Sequence, residues 1–143
     1  MHITDKVIDI NRMMAASHRE QSGAVVLFCG DVRNNNKGLG VHHLEYEAHI
    51  PLANKVIATI LREATGKWDL DDARCLHRIG KVKIAETAIV VITCAAHRKE
   101  AYEANQYILE RVKLEAPIWK NEFFVDGTCE WGHNDHSFAT SEG

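Results

Sequence analysis

Two uninterrupted apolar runs govern how this chain can fold: Gly23-Ala24-Val25-Val26-Leu27-Phe28-Cys29-Gly30 and Ala88-Ile89-Val90-Val91-Ile92-Thr93-Cys94-Ala95. Each has the length of a strand, and neither alternates apolar with polar residues. A strand of that kind buries both faces, so both runs are expected at the centre of a covered sheet. The second is dense in β-branched residues, which suit a pleated interior surface. Such a sheet needs amphipathic helices over it, and the chain supplies them. Leu52, Val56, Ile60 and Leu61 recur at helical spacing after Pro51, which a first helical turn tolerates. Ala101, Tyr102, Asn105, Ile108, Leu109 and Val112 do the same over residues 98–113. Asp9 is placed to cap a brief earlier helix through Ile10, Met13 and Met14.

The remaining elements are shorter. Residues 2–4, 41–48 and 74–79 read as strands, the last ended by Gly80, and the second helix fades near Gly66. Residues 31–40 hold three consecutive asparagines and two glycines, the composition of a loop. Pro117 stops the third helix at Ala116. Residues 118–125 and 128–131 then form a hairpin around Asp126-Gly127, a strong tight-turn signal. Strands and helices mix without strict alternation, so the class is α+β, with a mixed or antiparallel sheet and about three helices. At 143 residues and 45% hydrophobic content, one domain over residues 1–132 has a core of its own. The polar stretch 133–143 is expected to be a flexible tail.

Net charge is −3, so no global basic field draws the chain to nucleic acid or to an anionic membrane. No apolar run approaches the roughly 18 residues that span a bilayer, and no secretory pattern opens the sequence. The cytoplasm is the expected compartment. The four cysteines include no C-x-x-C pair. Cys75/His77, Cys94/His97 and Cys129/His133 can be grouped as zinc ligands, but their spacing lacks the tight knuckles of structural zinc sites. Reduced, unliganded thiols are expected, with no metal.

An anion site must then be a local gathering of cations. Lys113 and Lys120 bracket Pro117, one in the last helical turn and one on the following strand. A lysine at a helix C-terminus is already favoured by the macrodipole. Ala96-His97-Arg98-Lys99 is different, because it sets cations where the macrodipole opposes them, and an anion bound there resolves the conflict. Arg33 follows the first apolar run, where a guanidinium is held by fixed neighbours and suits bidentate contact with phosphate or a carbonyl. His42, His43, His49 and His77 lack companions and carry no assignment. No phosphate-binding glycine loop, nucleophilic serine elbow or H-E-x-x-H motif occurs.

Gly30-Asp31-Val32-Arg33-Asn34-Asn35-Asn36-Lys37-Gly38 resembles the G-x-V-R-x-x-N-x-G signature of the large, catalytic subunit of molybdopterin synthase. Leu44-Glu45-Tyr46-Glu47-Ala48, His77-Arg78-Ile79-Gly80, Ala96-His97-Arg98 and Lys113-x-x-Ala116-Pro117-x-Trp119-Lys120-x-Glu122 follow in that family's order. Each motif is weak alone; together, in order, they are strong. The resemblance implies an α/β-hammerhead fold and a sulfurtransferase that converts cyclic pyranopterin monophosphate into the dithiolene of molybdopterin. Sulfur would come from the thiocarboxylate on the Gly-Gly C-terminus of a small ubiquitin-like partner, with no cofactor of the chain's own. Two copies of the chain would form the central dimer of a heterotetramer.

By the same resemblance, Lys113 and Lys120 are catalytic, and Arg33, His97 and Arg98 line the substrate pocket. Lys113 is expected to be the principal acid/base or electrostatic catalyst, with Lys120 orienting substrate and tail. The chain departs from the family after Trp131: relatives carry a basic residue there, whereas Gly132-His133-Asn134-Asp135-His136 has no Lys or Arg. Two other readings stand beside this one: a non-catalytic module binding a phosphorylated small molecule or a partner's tail, and, more weakly, a zinc-dependent hydrolase.

Overall fold

In the computed structural model, which describes residues 1–134, the β-branched run at residues 88–95 becomes β7 (Thr87–Ala95), buried along nearly its whole length. It is one of the two inner strands of a sheet ordered β1-β5-β7-β2, where β1 is Ile3–Thr4, β5 is Asp72–Arg78 and β2 is Ala24–Asp31. Helices α2 (Ile50–Trp68) and α3 (Arg98–Glu115) cover one face of it. Their apolar stripes, with Ile57, Ile60, Ile108 and Val112, meet Val91, Ile89 and Cys75 in the main core. The opposite face is closed by α1 (Ile10–Ser17), whose Met13 and Met14 pack with Ile8 over Val90, Ile92 and Cys94. Asp9 caps that short helix by accepting the Arg12 amide hydrogen.

The first apolar run does not sit at the centre. β2 is an edge strand, half-buried, with Leu27 exposed by 38%. A continuous apolar run reports that both faces meet apolar neighbours; it does not report that both edges are paired. The α1 helix lies over β5 and β7 rather than β2, so that side of β2 is only partly covered. Asn105 of α3 fixes the layer above: its buried amide donates to the carbonyls of Val26 on β2 and Val91 on β7.

A second sheet runs β3-β4-β8-β9, with β6 paired to the same strand β4. Its members are β3 (Asn35–Asn36), β4 (Leu39–Ala48), β6 (Gly80–Lys83), β8 (Ile118–Phe124) and β9 (Cys129–His133). β3 and β6 went unread in the sequence. The asparagine-rich stretch is no open loop; it folds into a two-residue hairpin in which Lys37 and Gly38 both take positive φ, at 51° and 81°. That is the backbone of a type I′ turn. At Gly80, φ of 85° turns the chain out of the first sheet and sends β6 across to β4. The helix expected to fade at Gly66 runs on to Trp68 and ends at Asp69, whose left-handed conformation lets its amide donate to Thr65.

Past Trp131 the ordered structure continues. His133 is the last residue of β9, and Asn134 is buried, its amide donating to the Ile118 carbonyl. The rest of the expected tail, residues 135–143, lies outside the described residues. No helix among the described residues is long and apolar enough to cross a membrane.

Candidate active site

The two sheets and the end of α3 line an open cavity of about 850 Å³. Each of its walls comes from a different element. The end of β2 brings Asp31 and Arg33, the hairpin brings Asn36 and Lys37, β4 brings Tyr46, β5 brings His77, α3 brings Lys113, and β8 brings Lys120 and Glu122. Arg33, Lys37, Lys113 and Lys120 thus face Asp31 and Glu122, a cationic excess in a chain of net negative charge. Arg33, Lys113 and Lys120 are gathered as the sequence led us to expect.

Lys120 and Glu122 are two apart on β8 and so share one face of the strand. Their side chains are 8% and 11% exposed and pair at 3.2 Å. Glu122 also accepts from the Asn36 amide on both oxygens, at 3.1 and 2.8 Å. Burial pushes the Lys120 ammonium below the usual lysine range; Glu122 opposes that shift and Arg33 adds to it. Tyr46 is driven upward by its own burial and by Glu122, so its hydroxyl keeps its proton.

His77, a lone histidine in the sequence, is part of the cavity wall. It is 1% exposed, its Nδ1 lies 2.8 Å from the Arg78 carbonyl, and its Nε2 lies 2.8 Å from the Asn134 amide nitrogen. The first contact requires Nδ1 to donate, which leaves Nε2 to accept from Asn134. Its ring meets Tyr46 edge-on at 4.9 Å. Burial chiefly, with the nearby Lys113 charge, lowers its pKa to about 4. The folded chain therefore holds His77 neutral while the unfolded chain protonates it near pH 6.5. Above that pH the group leaves stability untouched; as pH falls from 6.5 toward 4, about 3 kcal/mol should be lost progressively. Denaturant midpoints measured across that window should fall with acid, and a His77→Gln variant should fall less.

His97 and Arg98 are not in this cavity. His97 is the N-cap of α3 without a capping side-chain hydrogen bond, and both residues are exposed. Some fifteen residues of helix, about 22 Å, separate Arg98 from Lys113. One chain does not bring them together.

A smaller cavity of about 180 Å³ adjoins the first, sharing Asn36, Lys37, Lys120 and Glu122 and adding Leu39, Phe124 and Trp131. The segment that departs from the family pattern is engaged here within its own chain: His133 Nε2 approaches the Ala116 carbonyl at 3.1 Å, and its ring stands edge-on to Trp119. Among the described residues no three His, Cys, Asp or Glu side chains gather as a metal site.

Glu122, Asn36, Tyr46 and His77 were all missed as members of the site. The signal for Glu122 was its two-residue spacing from Lys120. Asn36 and His77 each stand in a motif of the family resemblance, but nothing in their neighbours says that their side chains line the cavity.

Comparison with known proteins bears on what this cavity does. The profile of the family described as "MoaE protein" matches residues 3–115. A molybdopterin synthase catalytic subunit from Staphylococcus epidermidis is 45% identical over 120 residues, covering 83% of this chain and 79% of that protein. The crystal structure of molybdopterin synthase from Staphylococcus aureus superposes with a TM-score of 0.86 at 39% identity, covering 92% of this chain and 95% of that one. A molybdopterin biosynthesis MoaE protein from Burkholderia ambifaria superposes with a TM-score of 0.81 at 28% identity, over 99% of this chain and 94% of that one.

Proposed function

We propose, since this chain belongs to the MoaE protein family, that it is the catalytic subunit of a molybdopterin synthase. It acts as a sulfurtransferase on cyclic pyranopterin monophosphate, in the cytoplasm. The observation that carries this reading is the convergence of Arg33, Lys113 and Lys120 on one cavity from three separate elements. Substrate phosphate and a thiocarboxylate are both anions, and a cationic cavity offsets their repulsion while holding them together.

The sulfur donor is the C-terminal thiocarboxylate of a small ubiquitin-like partner, and the chain needs no cofactor of its own. The relatives' description as a catalytic subunit fits an assembly with a further component. A Gly-Gly tail carries no side chains, so the narrow space beside Phe124 and Trp131 suits its approach to Lys120. Attack by the thiocarboxylate sulfur on an oxygen-bearing substrate carbon forms a carbon–sulfur bond as that carbon's bond to oxygen breaks. The oxygen stays with the opened phosphate ester or leaves as water with a proton from Lys120, and the substrate is then joined through sulfur to the partner's acyl carbon. Water then cleaves the acyl–sulfur bond, leaving sulfur on the substrate and a carboxylate on the partner, and a second thiocarboxylated partner supplies the other sulfur of the dithiolene in the same way.

Two lysines divide this work. Lys113, at the negatively polarised end of α3, offsets the negative charge that grows on the glycyl oxygen. Lys120 is buried and its proton is loosened, so proton transfer falls to it rather than orientation alone. That reverses part of the division expected from sequence. His97 and Arg98, a helix's length away, serve the pocket of a second copy of the chain in the central dimer.

The test mixes purified chain, thiocarboxylated partner and cyclic pyranopterin monophosphate, and follows dithiolene formation. Product that depends on all three is the expected result. Absence of product with verified reagents would favour the module that only binds.

A further inference from the structure

Asn36 is the last residue of β3, immediately before the Lys37–Gly38 turn. Turn formation does not explain its identity, because the positive-φ positions are its two successors. What its side chain does is reach across the cavity to both oxygens of Glu122. Oxygen Oε1 then serves Asn36 at 3.1 Å and the Lys120 ammonium at 3.2 Å together. Glu122 does not depend on Asn36 to stay near Lys120, since the two project from the same face of β8.

We propose that Asn36 is a positioning residue of this site: by occupying both oxygens of Glu122 it disperses the carboxylate's charge, weakens its hold on the Lys120 proton, and makes that proton easier to give up. The proposal rests on the reading above that Lys120 moves protons during sulfur transfer. An amide suits the task because it donates without adding charge. A charged donor would pull Glu122 away from Lys120, and an apolar residue would leave the carboxylate to the ammonium at full strength.

The other groups around Lys120 form a constant background. Arg33, Lys37 and Lys113 add positive charge from the β2–β3 loop, the hairpin and α3. Asp31, Tyr46 and His77 close the cavity from β2, β4 and β5, and Glu130 and His133 stand across the smaller space on β9. A substitution at Asn36 leaves all of them in place.

The experiment labels the full chain with ¹³C at lysine Cε, identifies the Lys120 resonance by its loss in Lys120→Arg, and follows it against pH. Asn36→Ala is expected to raise the Lys120 midpoint by about half a pH unit, and Asn36→Asp, which adds a second carboxylate, by about one. A midpoint unmoved or lowered in either variant overturns the proposal. Asn36→Asp keeps the residue's size and carries the test should truncation open the hairpin, which the same spectra report. Because a proton is read rather than turnover, an unmoved midpoint leaves the catalytic reading of Lys120 standing. A fully active Lys120→Ala enzyme would defeat that reading while leaving the Asn36 effect measurable.

Discussion

Lys113→Ala is expected to lower the rate of dithiolene formation by about 100- to 1,000-fold, the loss that follows when one preorganised charge is withdrawn from a developing oxyanion. The chain should fold as before. Lys113 lies in the last turn of α3, where it is only half-buried, and the helix is anchored elsewhere by Ile108, Val112 and Asn105. Removing a C-terminal helical cation costs the helix only about 0.3–1 kcal/mol. Partner binding should also persist, because the surface around Phe124 and Trp131 is built from β8, β9 and their neighbours. Single-turnover measurements with saturating partner separate the chemical step from binding. Lys113→Arg keeps the charge at the helix end and should retain more activity than Lys113→Ala. Near-normal turnover in Lys113→Ala would remove this residue from the mechanism.

How far the sequence could be read depended on how local each signal was. The β7 run, the α1 cap at Asp9, Pro51 in α2 and the Pro117 stop are decided within a few residues, and each was legible. The hairpin at Asp126-Gly127 was legible for the same reason: Gly127 takes φ of 91°, and Asp126 accepts from Thr128 on its far side. β2 was misplaced because apolar content speaks for faces and not for edges. β6 was missed because its existence depends on β4, more than thirty residues earlier, offering an edge from Tyr46 to His43. The site followed the same rule. Of its cations, Arg33 was visible locally beside an apolar run, whereas Lys113 and Lys120 drew their roles from the family motif, and the charge set against a helix dipole, at Arg98, lies outside the cavity. The hydrogen bonds that complete the cavity wall span 86 residues from Asn36 to Glu122 and 57 from His77 to Asn134, and no nearby residue announces them.

The placement of His97 and Arg98 leads to the second large effect. If a dimer presents the start of α3 from one chain to the cavity of the other, each pocket draws Lys113 from one protomer and Arg98 from its partner. Loss of a charged contact to a bound anion costs about 1.5–3 kcal/mol, so Arg98→Ala should lose roughly 10- to 100-fold at low substrate concentration. Lys113→Ala should be lower still. Co-produced in equal amounts, the two variants pair at random, and about half the dimers are mixed. In a mixed dimer one pocket receives both defects and the other receives neither, so the sample should regain about a quarter of wild-type activity. That is a large gain over either variant alone, and it needs no new contact. Tagging the two variants differently and isolating the mixed dimer should raise the recovery to about half. Verified mixed dimers as inactive as their parents would confine Arg98 to its own chain, and with it His97, leaving Arg33, Lys113 and Lys120 to hold the substrate unaided.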